Sequence, residues 1–233
     1  MIVLELKPMG ADNQSVKRDT TLVTSSNPGD LSPIEAAIMD GCNVLHDAFG
    51  RGDAVLAASV RGQLDDLLSR YRLTRGENHP NPRWAIPNQE ALVLSAAGEV
   101  DEAITVEMGA LRHADTPRRV EISAGNIADR YIRLERYEDA VKWFLGALEQ
   151  APSSVPILMT GAQCLLLAGH ASHAERILGA LLARAETDSR AISETSELRA
   201  YLVHETRLRR LAKSSPTLAR LLELAGVETD RKD

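Results

Sequence analysis

Apolar residues recur with helical spacing along most of this chain. A first run covers residues 34–49 and a second covers about residues 53–72, and both follow an i, i+3, i+4 pattern. Ser32, Pro33 and Glu35 precede the first run and form a capping box with proline at the first helical position. Because a glycine-containing turn separates the two runs, the pattern predicts a helical hairpin.

The segments on either side of this hairpin, residues 32–73, have a different composition. Residues 1–31 contain one short apolar run and then a stretch rich in Ser, Thr, Asn, Asp and Gly, which predicts an extended or disordered arm. The alternative is that this arm pairs with a partner or crosses a neighbouring subunit. Residues 74–87 contain three prolines, which remove backbone donors, so we predict a linker and a subdomain boundary there.

Paired helices are predicted to continue from residue 88 to residue 226. The last helix begins at Ser215 and Pro216, again a cap followed by proline at the first position, and it ends at Gly226. Residues 227–233 are predicted to be a polar tail.

A fixed sequence period runs through the central helices. Its clearest copy spans residues 121–152 and consists of Ala124, Ile127, Ala128, Tyr131, Ala140, Phe144, Ala147 and Pro152. The same roles recur 34 residues later, without the aromatics, at Ala162, Leu165, Ala174, Leu178 and Leu181, with Gly169 in the turn. An earlier copy is offset by 37 residues and has its turn at Gly98 to Ala103.

This spacing resembles the 34-residue tetratricopeptide repeat, a pair of helices joined by a turn, and the resemblance covers residues 84–187. It implies an all-α fold in which antiparallel helical hairpins stack as a right-handed α-solenoid. Under this interpretation residues 88–187 hold the repeats. Residues 32–73 and 188–226 are capping helices or degenerate repeats, because a solenoid needs atypical ends.

The first helix of each repeat in this family lines a concave groove for a protein or peptide. Transferred to this chain, the resemblance assigns these residues to the groove: Asn88, Leu92, Ile122, Asn126, Asp129, Ile132, Arg133, Met159, Gln163 and Leu166. Such a mixture of apolar side chains and amides suits a peptide or a helix. The alternative is that Ile132, Leu166 and Leu167 pack against a neighbouring element, such as the N-terminal arm.

Some tetratricopeptide proteins grip acidic C-termini with a carboxylate clamp of basic and amide side chains. Only Asn126 falls at a matching position here, and Pro156 and Thr160 replace the basic pair of the third repeat. A carboxylate needs those charges to be held tightly, so we exclude this function.

The resemblance therefore implies a non-catalytic scaffold or adaptor that binds a partner protein or peptide. The alternative is a structural subunit that forms a homo-oligomer or a fixed part of a larger complex. An enzyme is disfavoured, because the sequence contains no phosphate-binding loop, nucleophile elbow or zinc-protease motif. We expect no cofactor and no metal.

Charge and composition exclude several other classes. The net charge of −6 over 233 residues opposes broad nucleic-acid binding, which needs a basic surface. No apolar run approaches the ~20 residues of a membrane span, and the first residues do not form a signal peptide. Cys42 and Cys164 are predicted to be buried thiols in a reducing compartment, so we expect a cytoplasmic protein.

Four side-chain groups are candidates for further sites. Cys42 with His46, and His170 with His173, have helical or turn spacing that could begin a metal site, but each lacks further ligands. Two basic clusters are either solvated helix ends or docking patches for an acidic partner. They comprise Arg112, Arg118 and Arg119, and Arg207, Arg209, Arg210 and Lys213.

Overall fold

The computed structural model describes residues 32–228, except for the side chains of residues 75–78. All the regular secondary structure in that range is helical, which confirms the all-α expectation. No helix of the described range is both long and apolar enough to cross a membrane. The predicted arm, residues 1–31, lies outside the described residues, as does most of the predicted polar tail.

Helix packing divides the chain into two compact units, with the boundary between Glu135 and Arg136. The described part of the first unit, residues 32–135, contains helices α1 (Pro33–Gly50), α2 (Ala54–Asn78), α3 (Pro82–Ala96), α4 (Val100–Leu111) and α5 (Pro117–Arg133). Each helix packs against the next, and α3 also contacts α1 and α5. The predicted N-terminal hairpin is therefore the pair α1–α2.

The second unit, residues 136–228 of the described range, contains α6 (Tyr137–Gln150), α7 (Val155–Leu167), α8 (Ala171–Thr187), α9 (Glu197–His204), α10 (Arg207–Leu211) and α11 (Pro216–Leu224). Short 3₁₀ turns lie at Ser189–Ile192 and Ala212–Ser214. α7 packs between α6 and α8, while α9 contacts α7 and α11 contacts α8.

Side-chain caps fix the helix ends that the sequence predicts. The Ser32 amide donates to Glu35 Oε2 at 2.7 Å, and the Glu35 amide donates back to Ser32 Oγ at 3.4 Å, which completes the capping box. Ser215 caps α11 with one bond, in which its Oγ accepts from the Leu218 amide at 3.1 Å, and Gly226 follows that helix with a φ of 72°. An N-cap of this kind stabilises a helix by about 1 kcal/mol.

The predicted linker at residues 74–87 is mostly helical, so that prediction is corrected. α2 continues to Asn78, and residues 79–81 alone connect it to α3. Pro82 takes the first helical position, where no backbone donor is needed, and the Trp84 amide donates to the Asn81 side chain at 3.1 Å. Pro87 is accommodated inside α3, and the boundary between the compact units lies after Glu135 instead.

The small residues of the predicted period are buried. Ala103, Ala128, Ala140 and Ala174 have no exposed surface, and Ala162 is 1% exposed. Between α6 and α7 the contact is especially close, because a Cβ added to Gly161 would overlap the Phe144 ring. Packing through small side chains lets helix backbones approach, which explains how so few aromatics suffice for this core.

The helix-to-helix turns at Gly98, Glu135 and Gly169 share one backbone conformation. Their φ values are +83°, +59° and +80°, and Glu135 is the only non-glycine residue with positive φ in the described range. The Gly98 amide donates to the Ser95 carbonyl, and the amides of Glu135 and Gly169 donate to carbonyls three residues earlier in the same way. Left-handed residues of this kind end a helix by satisfying its last carbonyls.

Candidate functional site

The structure buries most of the residues that the resemblance assigns to a groove. Seven of the ten are less than a tenth exposed: Asn88, Leu92, Ile122, Asn126, Ile132, Met159 and Gln163. Asp129, Arg133 and Leu166 are partly exposed. Met159, Gln163 and Leu166 belong to the second unit and the other seven to the first. Their role in binding stays a prediction, and a partner reaches most of them only if covering atoms move.

A buried network of polar side chains joins helices α3, α4 and α5, and we call it the Glu107 cluster. Glu107 Oε1 accepts from Asn88 Nδ2 at 2.8 Å and from Ser123 Oγ at 2.7 Å, and Oε2 accepts from Arg130 Nη1 at 2.9 Å. Trp84 Nε1 donates to Ser123 Oγ at 3.0 Å. The network therefore connects three consecutive helices of the first unit through one carboxylate.

The ion pair at its centre is fully buried, with the Glu107 side chain 0% and the Arg130 side chain 1% exposed. Removing two charges from water costs several kcal/mol per ion, so such a pair persists only when further hydrogen bonds compensate. Asn88 and Ser123 supply that compensation on the Glu107 side. On the Arg130 side, Nη1 bonds to Glu107, whereas Nε and Nη2 have no hydrogen-bond partner among the described residues.

Five buried side-chain atoms on α3 and α5 have no hydrogen-bond partner among the described residues. They are Gln89 Oε1, Asn126 Nδ2 and Oδ1, and Arg130 Nε and Nη2. Native structures leave few buried polar groups unpaired, and each such group costs about 1–3 kcal/mol. Among the described residues, five of the seven such atoms lie on α3 and α5.

Cys42 adds no reactive group to this unit. Burial raises the pKa of its thiol from about 9 to about 12, and the nearby charges of Arg130 and Arg61 only partly oppose that shift. The thiol is therefore protonated at neutral pH, and a protonated thiol is a poor nucleophile and a poor metal ligand. This agrees with the expectation of a buried cysteine.

The second unit has a smaller polar network around Tyr201 of α9. Its hydroxyl lies 2.9 Å from Thr160 Oγ1 and accepts from Gln163 Nε2 at 3.0 Å, so two polar residues of α7 are tied to α9. Gln163 Oε1 is buried without a hydrogen-bond partner among the described residues. Gln163, which the resemblance assigns to the groove, therefore uses its side-chain nitrogen for a hydrogen bond within the fold.

The first basic cluster holds acidic partners of its own. Arg118 pairs with Glu121 and Arg119 pairs with Asp115, and the Arg119 guanidinium also lies 5.5 Å from the centre of the Trp84 ring. Hydrogen bonds from Asn81 and then from Arg119 lower the pKa of Asp115. These pairs favour the interpretation as a solvated, internally neutralised surface.

The second basic cluster is also partly neutralised. Arg207 Nε and Nη2 donate to the two oxygens of Glu205 at 3.0 and 3.1 Å, a bidentate pair at the start of α10. Arg209 Nε is buried without a hydrogen-bond partner among the described residues. No docking patch of uniform positive charge follows from this arrangement.

The histidine and cysteine pairs do not develop into metal centres within residues 32–228, where no group of three or more His, Cys, Asp or Glu side chains is arranged to hold a metal ion. His170 Nε2 lies 3.3 Å from Glu138 Oε1, and the rings of His170 and His173 are 6.3 Å apart.

Sequence reasoning missed Glu107, Ser123 and Arg130. A signal was present, because Glu107 lies on the helix face shared by Ala103 and Ala110, both fully buried. A charged residue in an apolar register predicts a buried partner of opposite sign.

No protein-family model matches this sequence, and no curated protein matches it significantly. The resemblance to tetratricopeptide repeats therefore rests on the residues of this chain alone.

Proposed function

We propose that this chain is a tetratricopeptide-type helical-repeat protein that binds a partner protein or peptide and catalyses no reaction. In this proposal its helical hairpins stack as a right-handed α-solenoid, and the first helices of the repeats, α3, α5 and α7, carry the binding surface. It would act in the cytoplasm as a scaffold or adaptor.

The recurring turn carries the proposal. Gly98 and Glu135 are 37 residues apart, Glu135 and Gly169 are 34 residues apart, and all three have positive φ and the same backbone hydrogen bond. These intervals equal the offsets between the three sequence copies. Gly52 and Gly226 end other helices with the same positive φ and the same hydrogen bond, so the conformation alone is not specific to a repeat. The intervals between the three turns are what a repeated structural unit predicts.

The contact between α6 and α7 also supports it. In the resemblance, Phe144 fills the layer between its own repeat and the next. The ring lies against Gly161 of α7, it is 1% exposed, and no Cβ fits at that glycine. A large aromatic opposite a missing side chain is the complementarity that stacking of successive repeats requires.

Capture of a partner followed by comparison of variants tests the function. Asp129 and Arg133 are partly exposed, and Arg133 Nη1 also donates to the buried Ser95 Oγ at 2.7 Å, so circular dichroism of their joint alanine replacement must first show that it folds. A matched control replaces Lys142 and Glu149, an exposed base and acid on α6, with alanine. We expect the first variant to lose most of the captured partner and the control to retain it. Equal capture by both folded variants would contradict the proposed surface.

The structural-subunit alternative is favoured by one observation. Four large apolar residues are exposed in the described range, and all four lie on the first hairpin: Val44, Phe49, Val55 and Leu73. Val55 is 83% and Leu73 77% exposed. Light scattering over a concentration series tests this alternative. A mass that rises with concentration for the natural chain, but not for a Val55→Asp, Leu73→Asp variant, would support self-association, whereas a constant monomer mass would exclude it.

A further inference from the structure

We propose that helix α9 is a movable cover on α7, which a partner must displace before it can contact Thr160 and Gln163. This inference deepens the proposed function and rests on it only for the role of α7 as a binding helix. The movement of α9 is a property of the free chain and can be measured there.

Tyr201 of α9 lies on the face of α7 that includes Gln163, which the resemblance assigns to the groove. The Tyr201 hydroxyl is 2.9 Å from Thr160 Oγ1 and accepts from Gln163 Nε2 at 3.0 Å. Thr160 is 3% and Gln163 1% exposed, and α7 and α9 pack against each other within the second unit. While Tyr201 holds these two polar side chains, a partner cannot bond to them in the same way.

The polar part of this contact is of a kind that a partner can replace. A hydrogen bond within a protein contributes little net free energy, because water or another polar group can take the place of either side chain. Once Tyr201 leaves, a polar group of the partner can therefore pair with Thr160 and Gln163. The exchange keeps the α7 side chains hydrogen-bonded in both states.

Few buried side chains hold α9 in place. Leu198 and Leu202 are buried, two of its eight residues, whereas α7 buries every residue from Val155 to Leu165. The connection from α8 to α9 contains a short 3₁₀ turn and no α-helix. Elements with few buried apolar contacts open locally at a lower free energy than the core around them. We therefore expect α9 to open while α7 stays folded.

A cover of this kind lowers the apparent affinity of a partner. The apparent affinity is the intrinsic one multiplied by the fraction of chains in which α9 is open. Tyr201→Phe keeps the ring but removes the hydroxyl, so the closed form loses its bonds to Thr160 and Gln163 and the open fraction rises. The variant should then bind a partner more tightly. If α9 were part of the binding surface, losing the hydroxyl would weaken binding instead.

Hydrogen exchange of the full free chain tests the movement. Tyr201→Phe is compared with the natural chain and with Tyr137→Phe, the same change at a partly exposed tyrosine that begins α6. After correction for intrinsic rates, we expect α9 amides to exchange at least about tenfold faster than α7 amides in the natural chain. Tyr201→Phe should raise the α9 rate by at least about threefold and leave α7 unchanged. Tyr137→Phe should leave the α9 rate as it is.

A captured partner tests the displacement. In the complex we expect α9 to exchange faster than in the free chain, while α7 exchanges more slowly. Tyr201→Phe should lower the apparent dissociation constant by at least about threefold.

Several results would overturn the inference: α9 amides as protected as those of α7, an equal rise of both rates in Tyr201→Phe, slower exchange of α9 in the complex, or weaker binding by the variant. Because the exchange of the free chain needs no partner, it decides whether α9 moves even if no partner is captured. A failure to capture a partner would count against the proposed function alone.

Discussion

The buried pair of Glu107 and Arg130 permits a quantitative prediction. Replacing Glu107 with Gln keeps the shape of the side chain and an oxygen that can accept from Asn88 and Ser123, but it leaves the Arg130 charge without a counter-charge. Breaking a buried pair by removing one partner typically costs about 3–5 kcal/mol. Replacing Arg130 with Met strands the Glu107 carboxylate in the same way, so we expect a loss of similar size.

The double variant, Glu107→Gln with Arg130→Met, measures the interaction between the two side chains apart from their contacts with other residues. When both charges are removed, no uncompensated ion remains, and the free energy of unfolding should lie within about 2 kcal/mol of the natural chain. The coupling free energy from the double-mutant cycle is then at least about 4 kcal/mol. Urea unfolding followed by circular dichroism measures all four proteins, and unchanged m-values are required for the comparison.

The opposite result would be equally clear. If each single replacement costs less than about 1 kcal/mol, the pair behaves like an exposed ion pair, and Glu107 and Arg130 are hydrated in solution. If the double replacement is as damaging as the sum of the singles, the two side chains act independently, and the Glu107 cluster is not a unit.

Three further predictions concern single positions. Glu135→Gly should raise the free energy of unfolding in urea by about 0.5–1 kcal/mol, because glycine adopts the observed φ of 59° without strain. Gly98→Ala should lower it for the converse reason. A loss of stability in Glu135→Gly would contradict the assigned turn. Gly161→Ala should lower the free energy of unfolding by about 1–3 kcal/mol, because its Cβ would overlap Phe144. Adding Phe144→Leu should recover part of that loss, and additive losses in the double variant would be inconsistent with direct contact. Because the pKa of Cys42 is raised in the fold, its ionisation should favour unfolding from about pH 9 to about pH 12. Over that range the free energy of unfolding, relative to Cys42→Ala, should fall by at most about 1.4 kcal/mol per pH unit. A difference between the two proteins that does not change with pH would refute the shift.

Local sequence signals predicted the helices and many of their ends. The capping box at Ser32 and the Ser215-Pro216 start were recognisable, because each end depends on side chains within a few residues. The linker prediction failed for the same local reason. Pro82 could equally mark a loop or the first position of a helix, and packing against neighbouring helices decides between them.

The candidate site was only partly accessible to sequence reasoning. Asn88 and Asn126 were selected by their repeat positions, but nothing local showed that one amide binds Glu107 and the other remains unpaired. Glu107 and Arg130 are 23 residues apart on different helices, so their pairing depends on how α4 and α5 pack. Charged helical residues are usually solvated, and only tertiary burial reverses that expectation.

Hydrogen exchange of the chain with and without its captured partner tests the proposed function most directly. At saturating partner we predict slower exchange in α3, α5 and α7, the first helices of the proposed repeats, with less change in α4 and α8. Protection confined to α1 and α2, or to the segment from α9 to α11, would contradict binding through the repeat surface.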